Sequence, residues 1–185
     1  IPAKDSNTST LEEYPHLTAS DASTVSYTQA LGENMCVFKS FVSALSSLGW
    51  KEEAELVMND GLQLPDKSGT ELDVLANCIQ KRMPNWLQVK KIKAGNNFDW
   101  KTDIPKYAIF VGVLQDSDHN CSHAISIVDK WIFDANEEKA IPLGKLGLDY
   151  CTCDGDNKST FIKFNRGILL YYKGTKQGKI SKMVL

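Results

Sequence analysis

Residues 33–49 read ENMCVFKSFVSALSSLG, a polar turn followed by an apolar run. The apolar side chains recur every three or four positions, at Val37, Phe38, Phe41, Val42, Leu45 and Leu48. This period predicts an amphipathic helix that ends near Gly49. Cys36 therefore stands in the first turn, where the helix dipole and free N–H groups favour a thiolate.

The rest of the chain predicts two further helices and then strands. The second helix covers about 51–60 and ends near Gly61, and the third runs from about Ser68 or Thr70 to Met83. Period-two alternation predicts strands at 86–92, 107–114, 124–128, 131–133, 160–164 and 167–172. Helices followed by mainly antiparallel strands indicate the α+β class, with a helical lobe packed on a sheet.

Composition narrows the classes of partner. The 185 residues carry a net charge of −2, so we expect no nucleic-acid partner, which usually requires a strongly basic surface. No apolar run approaches about 18 residues, so no membrane span is predicted. Residues 1–24 are predicted to form a flexible, polar N-terminal arm, and residues 25–185 a single domain.

The chain has five cysteines, an odd number, and their spacing is irregular. This favours reduced thiols and a cytoplasmic location. Cys151 and Cys153 lack the further ligands that a zinc site needs, so we expect neither a metal nor another cofactor.

A histidine later in the chain completes the chemistry that Cys36 begins. His123 lies at the start of a predicted apolar strand, where a polar side chain is uncommon unless it has a specific role. A cysteine on a helix and a histidine on a strand form a nucleophile and its base. His119 is the competing histidine, but its polar surroundings indicate a solvated loop.

Two candidate orienting groups follow His123. A two-residue turn at positions 129–130 sets a hairpin register in which Asn136 faces His123 and Asp134 is a diagonal neighbour. Asp134 is preferred, because a carboxylate makes the stronger, charge-assisted hydrogen bond to an imidazole. Asn136 is the alternative.

Two side-chain amides precede the nucleophile. Gln29 lies seven residues before Cys36, and Asn34 lies two before it. Either amide can donate to the oxyanion of a tetrahedral intermediate, together with the backbone N–H of Cys36. Asn34 has the alternative role of a turn or cap residue.

The order Cys36, His123, Asp134 resembles that of the papain-like cysteine peptidase superfamily. Residues 33–40 (ENMCVFKS) are similar to the nucleophile motif of ovarian-tumour (OTU) deubiquitinases, Asp-Gly-Asn-Cys-Leu-Phe-Arg followed by Ser or Ala, with Asn34 in place of its glycine. The His123 segment looks more like bacterial and viral papain-like peptidases. The resemblance implies a papain-like fold, with these three residues as a catalytic triad.

The predicted function is therefore a cysteine-dependent peptidase that cleaves peptide or isopeptide bonds of a protein substrate. The OTU-like features extend this expectation to ubiquitin-like substrates. A transglutaminase-like or other acyltransferase would use the same triad, because only the acceptor of the acyl group differs. An inactive papain-like protein-binding module is the third possibility.

Overall fold

The computed structural model describes residues 24–30, 33–65, 71–83, 87–93, 98–100, 102–105, 108–116, 121–146, 151–154, 157–160 and 164–172. The predicted arm therefore lies outside the described residues except for Thr24, and His119 lies outside them as well.

Three α-helices open the described part of the chain: α1 (Cys36–Ser47), α2 (Lys51–Leu62) and α3 (Leu72–Arg82). α1 begins at Cys36, as predicted. α3 begins with Glu71 at its cap position, and the predicted starts at Ser68 and Thr70 lie outside the described residues.

The predicted end of the second helix near Gly61 is confirmed to within one residue. α2 continues through Gly61 to Leu62, and a side chain at position 61 would bring its Cβ within 2.6 Å of Phe38 Cδ1. The glycine is needed there because α1 and α2 approach each other closely, which the sequence pattern alone does not reveal.

The strands follow the helices. They are β1 (Leu87–Lys93), β2 (Ile109–Asp116), β3 (Cys121–Val128), β4 (Trp131–Phe133), β5 (Ile141–Pro142), β6 (Cys151–Asp154), β7 (Asn157–Thr160) and β8 (Phe164–Tyr172). Among the described residues they form a six-stranded antiparallel sheet, in the order β1-β8-β2-β3-β4-β5, and a separate β6-β7 pair. The predicted α+β layout is confirmed, while β5, β6 and β7 were not predicted. The predicted strand at 160–164 shares only Thr160 with β7 and only Phe164 with β8, and its middle lies outside the described residues.

Alternate residues of the large sheet contribute to two apolar clusters. The cluster on the helix side contains Val111, Val113, Ala124, Val128, Phe133, Ile168 and Leu170. The other contains Phe110, Leu114, Ile125, Ile127, Ile132, Leu169 and Tyr171. This arrangement places the helical lobe on one face of the sheet.

α1 is the helix that is buried most deeply between the other helices and the sheet. Phe38, Phe41 and Val42 are fully buried, and each such side chain contributes about 1.5–3 kcal/mol through burial. A buried hydrogen bond of 3.0 Å joins Ser40 Oγ of α1 to Ser126 Oγ of β3. A hydrogen bond in the core accepts few other geometries, so this contact fixes the position of α1 on the strand that carries His123.

The β3–β4 hairpin has the predicted register. Ser126 pairs with Phe133, and Val128 pairs with Trp131 across a turn in which Asp129 has a φ of 55°. The pairing ends at Phe133, so His123 and Asn136 are not ladder partners, and His123 instead lies opposite Leu114 of β2. The chain that leaves β4 is thus free to curve toward His123.

Candidate active site

Cys36 is the first residue of α1, and Met35 occupies the cap position before it. The first intrahelical hydrogen bond runs from Lys39 N–H to the Met35 carbonyl, so the N–H groups of residues 36–38 have no partner within the helix. The first turn contains no acidic residue. The positive end of the helix dipole is therefore available to an anion at Cys36.

The turn before α1 is set by Asn34 and by an ion pair. Asn34 has a φ of 57°, a left-handed conformation that glycine and asparagine adopt most readily. Lys39 Nζ donates to Glu33 Oε1 at 2.6 Å and to the Thr28 carbonyl at 2.8 Å. Glu33 and Lys39 thus close the turn around the start of the helix, which gives these OTU-like positions a structural role.

The structure brings His123 and Asp134 together. His123 Nε2 and Asp134 Oδ1 are 2.7 Å apart, and the two residues are 7% and 1% exposed. The backbone N–H of Asn136 donates to the same oxygen at 2.9 Å. Of the two predicted orienting groups, Asp134 therefore contacts the imidazole, and Asn136 supports the carboxylate through its backbone.

The imidazole also interacts with the Cys36 side chain, which acts on the pKa of His123 together with Asp134. Since Nε2 is engaged by Asp134, Nδ1 is the nitrogen left for the sulfur. His123 thus bridges Cys36 and Asp134, in the order that a nucleophile, base and orienting group require.

Electrostatics favour the charged form of this histidine. Burial by itself lowers the pKa of His123, but hydrogen bonds to Asp134 and Cys36, together with the charges of these two groups, raise it to about 10. The ring is consequently an imidazolium at neutral pH. This places a positive charge next to Cys36.

Gln29 connects the two halves of the site. Its Oε1 accepts the backbone N–H of Met35 at 2.9 Å, and its Nε2 donates to Asn136 Oδ1 at 2.9 Å. The backbone N–H of Gln29 donates to the Ala135 carbonyl at 2.8 Å. Asn34, the other predicted oxyanion donor, is exposed one residue before Met35.

The Gln29–Asn136 contact was not predicted. It joins residues 107 positions apart, and neither amide belongs to a periodic pattern that would mark it. In the sequence, only the position of Gln29 seven residues before Cys36 indicated a role for this amide.

No group of acidic, cysteine or histidine side chains within the described residues is suited to hold a metal ion. Cys36 and Cys78 are the free thiols whose side chains are described. None of the described helices has the length and apolar character that a membrane span requires.

Comparisons with known proteins are sparse. No protein-family model matches the chain, and no curated protein matches it. The structure is similar to the crystal structure of the Pseudomonas avirulence protein AvrPphB, with 14% sequence identity and a TM-score of 0.38, over 84% of this chain and 98% of that chain. A likeness at this level assigns neither a family nor an activity, and the OTU-like features gain no support from it.

Proposed function

We propose that this protein is a papain-like cysteine peptidase in which Cys36 is the nucleophile, His123 the general acid and base, and Asp134 the orienting group. The observation that supports this proposal most strongly is the position of His123, buried between the Asp134 carboxylate and the Cys36 thiol group. A buried histidine serving only the core would not need a cysteine at the start of a helix as its second partner.

The proposed reaction begins from the Cys36 thiolate and the His123 imidazolium. The sulfur attacks the carbonyl carbon of a peptide or isopeptide bond, and the carbonyl oxygen takes up the negative charge. As the C–N bond breaks, the imidazolium gives its proton to the leaving amine. The neutral imidazole then takes a proton from water, whose oxygen attacks the thioester and releases the acid and Cys36.

The developing oxyanion needs hydrogen-bond donors at the start of α1. The backbone N–H of Cys36 has no partner within the helix. Gln29 Nε2 carries two hydrogens, of which one is donated to Asn136, so the other is available. Asn34 is the second candidate for this role, and loss of one such donor typically lowers kcat by about 10²–10³-fold.

Selective alkylation tests the nucleophile. We expect iodoacetamide to modify Cys36 much faster than Cys78 at pH 7, as followed by peptide mass spectrometry. Cys78 is a suitable internal control because burial and the nearby Asp60 charge raise its pKa, and a protonated thiol reacts slowly.

A His123→Ala change should abolish the fast alkylation of Cys36 without changing the alkylation rate of Cys78. Circular dichroism of this variant checks that it remains folded. Equal rates at the two cysteines of the unaltered protein would refute the proposal.

A panel of electrophilic probes tests the substrate class. A ubiquitin-type electrophile that labels Cys36 would support a ubiquitin-like substrate, while labelling by a generic epoxide or vinyl sulfone alone would support a different protein substrate. Incubation with a glutamine peptide and an amine, followed by mass spectrometry, distinguishes cross-linking from cleavage. The need for a reduced Cys36 fits the proposed cytoplasmic location.

A further inference from the structure

Gln29 and Asn136 close a continuous path of contacts around the proposed triad. From Cys36 the path runs to His123, then to Asp134 Oδ1, and on to the backbone N–H of Asn136. The side chain of Asn136 then meets Gln29, whose Oε1 accepts from Met35, the residue bonded to Cys36. We call the contacts of the Gln29 amide with Met35 and Asn136 the Gln29 bridge.

The bridge fixes which atom of the amide faces which way. Met35 offers an N–H, so the atom of Gln29 that meets it is the oxygen. The nitrogen must then face Asn136, which presents its carbonyl oxygen. Since the terminal torsion of a glutamine side chain is broad, two contacts at opposite ends of the amide are needed to hold it in one plane.

We propose that Asn136 is a positioning residue that acts through Gln29: its side-chain carbonyl holds the Gln29 amide so that the second Nε2 hydrogen is presented to the oxyanion formed at Cys36. This inference rests on the proposed peptidase function. The role differs from that of the alternative orienting group, because Asn136 contacts the amide with its side chain and the Asp134 carboxylate with its backbone.

Because the side chain and the backbone of Asn136 make different contacts, a change of the side chain should affect the rate of ester hydrolysis but not the rate of Cys36 alkylation. An Asn136→Ala change removes the contact with Gln29 and leaves the backbone N–H that supports Asp134. Alkylation of Cys36 forms no oxyanion, so its rate reports only the thiolate and imidazolium. Hydrolysis of an acyl substrate does form one and therefore depends on the oriented amide.

The experiment measures both rates on the full chain. The probes are iodoacetamide and the p-nitrophenyl ester of an N-acylated amino acid, which requires no knowledge of the natural specificity. For Asn136→Ala we expect kcat to fall roughly fivefold to tenfold, as for loss of one hydrogen bond. KM and the alkylation rate should stay within about twofold. Glu138→Ala is the matched control, because Glu138 is exposed in the same loop and meets Val25 through its backbone carbonyl.

Two further variants make the inference specific. Asn136→Asp keeps an acceptor oxygen at the same place and should restore most of kcat. The Gln29→Ala variant should have a kcat about 10²-fold lower than the unaltered protein. Adding Asn136→Ala to this variant should not lower kcat further, because both changes act on the same oxyanion donor, the Gln29 amide.

Other outcomes overturn the inference. An unchanged kcat, a parallel loss of alkylation and kcat, or additive effects of the two alanine changes would each show that Asn136 does not act through Gln29. Failure of the proposed function looks different, because the unaltered protein would then show neither selective alkylation of Cys36 nor ester hydrolysis.

Discussion

Replacing Asp134 by Asn tests whether its charge holds the proton on His123. The carboxylate is buried, 2.7 Å from His123 Nε2, and also accepts the Asn136 N–H. Asparagine has nearly the same shape, and its carbonyl oxygen can accept both hydrogen bonds. The substitution therefore removes the charge and keeps the geometry.

The size of the effect follows from this contact. An opposite charge at hydrogen-bonding distance shifts a pKa by about 1–3 units, or about 1.4–4 kcal/mol. The pKa of His123 is about 10 in the unaltered protein, so in Asp134→Asn we expect it at roughly 7 to 9. Loss of the imidazolium then removes activity at alkaline pH, while activity near pH 6 is retained.

The imidazole nitrogen chemical shifts, measured by NMR from pH 5 to 11, give the pKa of His123 directly as the titration midpoint. The fall of the ester-hydrolysis rate at alkaline pH gives the same pKa independently. The matched control is Glu137→Gln, which removes a carboxylate three residues further along the same loop. Burial and the Asp134 charge raise the pKa of Glu137, but its side chain is exposed. Solvent screening should therefore limit its effect on His123 to under about half a unit. An unaltered midpoint in Asp134→Asn, or equal shifts in both variants, would refute the reasoning.

Two other predictions concern stability. Because the pKa of His123 is raised from 6.5 to about 10, its contribution to the free energy of unfolding is complete below about pH 6.5 and is lost as the pH rises through 10. In denaturant titrations, the difference in the free energy of unfolding between the unaltered protein and His123→Gln should shrink as the pH rises through this window. A difference that grows with pH would contradict a charged imidazole. Gly61→Ala should lower the free energy of unfolding by about 1 kcal/mol, because overpacking against Phe38 outweighs the gain in helix propensity. Gly144→Ala, whose added Cβ meets nothing within 4 Å, should be nearly neutral in the same thermal and denaturant melts, and equal effects of the two changes would be the contrary result.

Much of the fold was predictable because its signals are local. The helical period after Cys36 locates α1, and alternation locates β2, β3 and β4 to within a few residues. The two-residue turn at 129–130 sets the register of the β3–β4 hairpin, as observed. The local pattern does not show which residues serve a distant contact, as Gly61 does for Phe38.

The sequence by itself determined that a cysteine begins a helix, that a histidine lies on a later strand, and that two carboxamide or carboxylate groups follow it closely. These features depend on spacing and turn chemistry, which neighbouring residues fix. Only the tertiary structure decided that Asp134 rather than Asn136 contacts His123, because hairpin pairing stops at Phe133 and the chain curves beyond it. It alone also placed Gln29 against Asn136, since a hydrogen bond between residues 107 positions apart depends on how the helical lobe packs on the sheet.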